Sequence, residues 1–581
     1  MHAMAPWGVA AGFALVFGHG LFRGLGKLGL GDWDYHRAWA LFARRTLLQY
    51  GQWPAWNPHH CGGAASASNP LARMYTPSVF LTYVMGDDLG IRVWPLVMLA
   101  LGFEGARRLA VRLGAGQKGS LLAALLVAGN GGVALHLSHG HLPQLPFLLL
   151  PWWLLGIHTS WTKPFRGALL GGAFGALACM EGGLYPLAYA SLLAAAWSIR
   201  EAWRERNVRP LLRSASVAAA TAGMAAVGLL PMASELGAAL NTPAPERIPL
   251  RALPHMLLGI HQGAFDANPV GGLPWAWHEY GTYVGALGLA ALVWGIVHGK
   301  DRREQAFWLA AALVFLAIAL GDFAPWAPWS VLHHLPFFDK MRASGRALQV
   351  TLLCSVIAAA PGFDVRPRLA AAVLLFLGLD LARIAASNLG RAFVVPEPGV
   401  HLDRNAGATL PGGSHVFRQI LDRRHRESMT TRWFSTMTAD VRANLGILDC
   451  YDRVVPVHRG AVQLWPQRDE VLVFPQDGQA EITRWSPNEI RIRVSNLRQA
   501  SLLVVNQNYH AGWESPDRPV VNASDTLAVE VRPGDTEIVL RFDWGLPWIG
   551  WGVGVVTALA LALGVKREMH GPEKQPRIRA A

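Results

Sequence analysis

The sequence predicts a polytopic α-helical membrane protein with a β-rich domain placed ahead of its last helix. Three observations lead there. Hydrophobic residues make up 52% of 581 positions and charged residues only 16%, with a mean hydropathy of +0.24. Apolar runs near the roughly 20 residues that cross a bilayer recur through the first two thirds of the chain. Short alternating runs broken by Pro, Asn and Gly fill the region before the last apolar run. This composition excludes a soluble enzyme, a disordered chain and a coiled coil.

The apolar runs fall at 4–22, 89–110, 119–135, 143–158, 166–180, 183–199, 213–233, 281–298, 306–322, 345–362, 368–387 and 546–564, which predicts about 12 transmembrane helices. Met1–Phe22 lacks a positive n-region and an A-x-A site, so it reads as a first transmembrane helix and not a signal peptide. Many of the 24 Trp stand beside span ends, as an interfacial belt requires. The connections alternate in charge. Basic ones carry Arg107, Arg108, Arg112 and Lys118; Lys163 and Arg166; Arg200, Arg204, Arg206, Arg209 and Arg213. Further basic groups are Lys300, Arg302 and Arg303; Arg366 and Arg368; and the tail with Lys566, Arg567, Lys574, Arg577 and Arg579. With the seven acids of the same connections subtracted they leave +14, which accounts for the whole formal charge of +13. That excess reads as positive-inside topology, with both termini cytoplasmic and no nucleic-acid partner.

The chain divides into a transmembrane domain, 1–387, with a large outer loop, 23–88; an extracytoplasmic domain, 388–545, β-rich in its second half; and a last helix with a basic tail, 546–581. Strands are expected at Glu481–Thr483, Glu489–Val494, Ser501–Asn506, Thr526–Val531 and Thr536–Phe542, with a turn at Arg532-Pro533-Gly534-Asp535. Together they suggest a small sandwich or jelly-roll-like domain. Cys61 and Cys450 both fall outside the membrane, and their pairing depends on whether the two loops meet. Cys179 and Cys354 lie in apolar spans as small fillers.

The first outer loop is the informative one. It holds Gly31-Asp32-Trp33-Asp34-Tyr35-His36, an amphipathic stretch to Tyr50, then Gly51-Gln52-Trp53-Pro54-Ala55-Trp56-Asn57-Pro58. Cys61-Gly62-Gly63 and Asn69-Pro70-Leu71-Ala72-Arg73-Met74-Tyr75-Thr76-Pro77 follow. This pattern resembles the YfhO-type bacterial membrane proteins of the GT-C glycosyltransferase superfamily. Leu335–Arg346, with Arg342 and Arg346, and Asn508-Tyr509-His510-Ala511-Gly512-Trp513 extend the likeness.

The resemblance implies transfer of a sugar from a polyprenyl-phosphate donor to an envelope glycan, lipid or protein on the outer face of the bacterial cytoplasmic membrane. It implies an acidic residue in the first outer loop, which Asp32 matches. Asp34 is an addition that makes a D-x-D pair. Which carboxylate is the base stays open, as does a divalent cation, Mg or Mn, held by Asp32 and Asp34. Asn69, Arg73 and Tyr75 sit in the matched motifs as donor- or substrate-binding candidates.

The chemistry is in keeping. Sugar transfer from a phospholipid donor needs a carboxylate to take the acceptor proton and cations to neutralise the departing phosphate. The plain alternative for Asp32 and Asp34 is capping of the helix that follows. Arg342 and Arg346, spaced i, i+4, would share one face of a helix and clamp a lipid phosphate; otherwise they are flanking charge. His278 and Glu279 would line a cavity and bind sugar hydroxyls, as would Glu181; simple loop polarity is the alternative. His136, His139 and His141 form an H-x-x-H-x-H run at an outer turn, but no adjacent carboxylate or Cys completes a metal site. Asp380 and Arg383, three apart inside an apolar run, would neutralise each other.

Two other functions compete with the enzyme. A transporter or flippase of lipid-linked saccharides would place several ionisable groups at mid-membrane. A glycan-binding scaffold would use exposed aromatics such as Tyr509 and Trp513.

Overall fold

Helix runs through every one of the apolar segments in the computed structural model, which describes residues 5–235, 246–263, 266, 270–335, 337–395, 418–420, 437–448, 450, 460–462, 470–475 and 477–570. Five helical stretches are long and apolar enough to cross a membrane: Asp87–Arg112, Gln117–Ser138, Ser344–Phe363, Pro367–Leu389 and Leu546–His570. Arg209–Met224 and Ala226–Glu235 make a sixth only if their 78° bend lies within one span. By length and composition the chain is a membrane protein; the expected count of about 12 crossings is not confirmed among the described residues. Several of the runs are broken or short. The run at 143–158 splits into a 3-10 segment, Leu142–Leu149, and a helix, Leu150–Ser160. Gly285–His298 and Pro164–Met180 stay shorter than a full crossing.

Apolar side chains from these helices form two buried clusters, one around Leu122, Leu353 and Trp308 and one around Met98, Leu149 and Leu389. Polar groups sit at the helix ends. At the basic end, Asp364 caps the start of Gln117–Gly129 through Lys118 N–H and Gly119 N–H (2.8 and 3.0 Å). Glu568 caps Pro164–Met180 through Phe165 N–H and Arg166 N–H (2.8 and 3.1 Å). Arg200 pairs with Glu304 at 2.7 Å. Within Pro367–Leu389, Asp380 accepts from Tyr283 Oη (2.7 Å) and Arg383 (3.0 Å), so the acid is locally satisfied.

The β-rich region is built from two four-stranded antiparallel sheets. One orders Val520–Ala523, Thr526–Val531, Ser501–Asn508 and Val471–Phe474; the other orders Trp513–Glu514, Glu537–Phe542, Glu489–Ser495 and Gln479–Ser486. Alternate residues such as Ile490, Ile492, Leu503, Val505, Leu527, Val529, Ile538 and Leu540 share one core. Asp535 closes the expected turn by accepting from Arg532 N–H at 2.7 Å. Much of 388–470, and the tail bearing Lys574, Arg577 and Arg579, lie outside the described residues.

Into that core goes the first loop. Trp56, 1% exposed, packs on Trp513 and Phe542 and donates from Nε1 to Gln507 Oε1 at 2.5 Å. Asn508 Nδ2 donates to the carbonyls of Cys61 and Gly63 (2.7 and 3.0 Å). A disulfide joins Cys61 to Cys450. The loop and the β-rich region are therefore one packed unit.

Candidate active site

The helix Trp33–Tyr50 begins where it does because of backbone contact. Leu28–Gly29 pairs with Phe393–Val395, and Leu30 N–H donates to Ala392 O at 2.8 Å. Asp32 N–H then donates to His139 O at 2.8 Å. Two glycines permit that approach. At Gly31 (φ +59) a Cβ would lie 2.4 Å from His139 O, and at Gly140 (φ +74) one would lie 2.2 Å from Trp33 N. Trp33 Nε1 locks the joint by donating to Leu137 O at 2.7 Å. The helix stops at Gly51, which is left-handed (φ 64).

This docking carries the Asp32 carboxylate to the 136–141 turn. Asp32 occupies the N-cap position, yet its side chain makes no capping hydrogen bond. Its Oδ2 lies 3.8 Å from His141 Nε2. His141 Nδ1 faces His136 Nδ1 at 3.2 Å. The His278 ring stands against those of His139 and His141, at centroid distances of 4.2 and 4.6 Å. Next to it, Glu279 accepts from Arg346 Nε at 2.6 Å and Nη2 at 2.5 Å, a buried bidentate pair. Five segments distant in sequence thus converge: residue 32, the 136–141 turn, 278–279, Tyr185 and Arg346, whose guanidinium lies 4.4 Å over the Tyr185 ring.

The electrostatics follow from burial. Burial pushes His278 down to about 2 and His141 well below the ordinary histidine value, so both imidazoles are neutral. Burial alone would raise Glu279, but Arg346 outweighs it and holds the carboxyl well below the usual carboxylate range. Glu246 is raised by burial, against hydrogen bonds from Tyr280 and Ser344 that lower it. It accepts from Tyr280 Oη (2.7 Å) and Ser344 N–H (2.7 Å), so it ties the 278–280 turn to the segment leading to Arg346.

The other residues expected at a site are dispersed. Asp34, 1% exposed, accepts from Thr438 N–H at 3.3 Å, on the side of the β-rich region. Positions two apart at the start of a helix do not share a face, so Asp32 and Asp34 diverge, and that pair does not fit a bridging Mg or Mn ion. Arg342 and Arg346 do not share a helix face either. Arg342 lies in extended chain before the 3-10 turn Ser344–Ala347, so the helical i, i+4 geometry does not apply. Arg346 is buried, whereas Arg342 is exposed with its guanidinium 5.2 Å over Trp275. Arg73 is buried and pairs with Glu181 at 3.3 Å. Asn69 caps the short turn Pro70–Ala72 and donates to Tyr35 Oη at 3.0 Å. Tyr75 stacks on Trp53 at 6.0 Å, and burial raises it to about 12.

The histidine run was visible in the sequence, but its carboxylate neighbours stand more than a hundred residues away on either side. Glu246 gave no signal at all.

No family model matches the chain, and no curated protein matches it. Among solved structures, the chain is similar to the arabinofuranosyltransferase AftD from Mycobacteria, at 17% identity and a TM-score of 0.43, covering 76% of this chain and 32% of that one. Two structures of a mutant of the same protein are similar at 16% identity and a TM-score of 0.46, covering 78% of this chain and 33% of theirs. The chain spans about a third of the length of the structures it matches.

Proposed function

We propose that the chain is a membrane glycosyltransferase of GT-C type, moving a sugar from a polyprenyl-phosphate donor to an envelope glycan, lipid or protein acceptor. The observation that carries this reading is the delivery of the Asp32 carboxylate to the 136–141 turn beside the Glu279–Arg346 pair.

One oxygen of the Asp32 carboxylate accepts the acceptor hydroxyl's proton as the acceptor oxygen bonds to the anomeric carbon and the bond from that carbon to the phosphate oxygen breaks. A hydroxyl is far less acidic than a carboxylic acid, so the proton moves in concert with bond formation at a pre-oriented site. Arg342, exposed over Trp275, meets the departing phosphate. Arg346 works through Glu279, holding it ionised and in place. The Cys61–Cys450 bond suits an oxidising compartment, which favours an outward-facing site on the periplasmic or external side of the membrane.

A transporter is less favoured. Among the described residues, Asp380 lies inside a span but is tied to Tyr283 and Arg383. A glycan-binding scaffold built on Trp513 is disfavoured by that residue's burial at 3% exposure.

The test is transfer by the purified full chain from a panel of polyprenyl-phosphate sugars. Asp32→Asn should cost on the order of 10²- to 10⁴-fold in rate with the protein still folded. Normal turnover in that variant, or no transfer from any donor by the parent chain, overturns the reading.

A further inference from the structure

We propose that His141, His278 and Glu279, completed by Asp32, form a divalent transition-metal site of the kind zinc occupies. One ligand atom from each of the first three residues lies within 4.8 Å of the others, and Asp32 Oδ2 is 3.8 Å from His141 Nε2. Ligands about 2.0–2.1 Å from a tetrahedral ion stand about 3.4 Å apart. The three grouped residues therefore need to draw in by up to about 1.4 Å, and Asp32 joins them from the His141 side.

The surroundings orient the ligands. His141 Nδ1 is engaged by His136 Nδ1 at 3.2 Å, which turns Nε2 toward Asp32. A ligating imidazole characteristically has its second nitrogen held by a hydrogen-bond acceptor, the part His136 Nδ1 plays here. Arg346 grips Glu279 through both oxygens, at 2.6 and 2.5 Å, and keeps it ionised as a ligand must be. Two imidazoles with two carboxylates favour zinc and its neighbours, whereas Mg and Mn favour oxygen alone. This assignment therefore replaces the Asp32–Asp34 pair as the place for an ion. Its ligands come from three segments, residue 32, the 136–141 turn and 278–279, so a bound ion would clamp the first loop to the helix ends.

The inference rests on the same cluster as the proposed active site, but metal content reads it without any sugar transfer. The full chain, purified in detergent and stripped with a chelator, is equilibrated separately with Zn²⁺, Co²⁺, Mg²⁺ and Mn²⁺. Metal per chain is then measured by mass spectrometry, and the Co²⁺ form by visible absorption. One tightly held zinc or cobalt per chain is expected, with the absorption of low-symmetry four-coordinate cobalt. His141→Ala and His278→Ala should lose it. His136→Ala, which removes only the orienting partner, should weaken zinc about 10- to 100-fold, and Asp34→Asn should retain it. If the ligand variants fail to fold, the His136→Ala and Asp34→Asn contrast decides. The proposal is overturned by a chain that takes no stoichiometric zinc or cobalt, that prefers Mg²⁺ or Mn²⁺, or that binds zinc equally well without His141 and His278. Zinc held by a chain that transfers no sugar keeps the site and removes the glycosyltransferase reading. Transfer undiminished in a zinc-free chain does the reverse.

Discussion

The two ends of the helix Trp33–Tyr50 differ in what they do, although the sequence motifs that flank them look alike. At its start, Gly31-Asp32 lies against the 139–141 turn and presents a half-exposed carboxylate to a cluster of imidazoles. Past its end, Trp53–Gly63 disappears into the β-rich region, with Trp56 in the sheet core, Asn488 and Asn508 bonded to loop carbonyls, and a disulfide at Cys61. One end is chemistry and the other is carpentry. A distinctive motif can be distinctive because a tight joint demands it, and only the neighbours of each residue separate the two cases.

The largest effect should come from breaking that division at the reactive end. Asp32→Asn is expected to abolish most transfer, on the order of 10²- to 10⁴-fold, while thermal unfolding stays close to that of the parent. Asp34→Asn should show the opposite balance, with a modest shift in unfolding through its bond to Thr438 N–H and a smaller loss of turnover. Equal loss of turnover in both would erase the contrast.

At the packed end, Trp56→Ala removes a large, fully buried side chain and should destabilise by about 3–5 kcal/mol. Limited proteolysis of the β-rich region would report it; an unchanged cleavage rate would mean that the loop is not seated in the sheets. Cys61→Ser should cost somewhat less, about 2–4 kcal/mol, since it releases a cross-link spanning 389 residues but leaves the packing of Trp56 in place.

The smallest effect, counted over a single pH unit, is that of acidification. His59 Nδ1–H donates to Leu445 O at 2.9 Å, and burial lowers the ring from its ordinary 6.5 to about 3. Below pH 6.5 the unfolded chain takes up a proton that the folded chain refuses. Stability of the joint is therefore full above 6.5 and falls as the pH drops toward 3, by about 1.4 kcal/mol for each pH unit. Hydrogen exchange in 437–448 should speed up on acidification, and His59→Gln should flatten that dependence.

Much of this was legible in the chain before folding. Period-two alternation placed strands near 489–494, 501–506 and 526–531, and the structure has Glu489–Ser495, Ser501–Asn508 and Thr526–Val531. The amphipathic run to Tyr50 ends at the residue before Gly51, as a left-handed stop requires. Hydropathy located the long apolar helices but did not decide how many of them cross, because window averages ignore breaks such as those at residues 149–150 and 225. The arginine pair was misplaced for a related reason: i, i+4 spacing predicts a shared face only if the chain between is helical, and Ala343 is extended.

By itself, then, the sequence determined what depends on neighbours along the chain, namely apolar length, strand alternation, basic connections and glycine stops. Tertiary structure alone decided which charges meet. Asp32, His141, Glu279 and Arg346 come together because Gly31 and Gly140 let two backbones touch and because Glu246 ties the 278–280 turn to Ser344. Cys61 found Cys450 because Trp56 and Asn508 hold the loop against the sheets. Such contacts arise from the packing of distant surfaces, whose free energy is spread over many residues and leaves no periodic trace in the sequence.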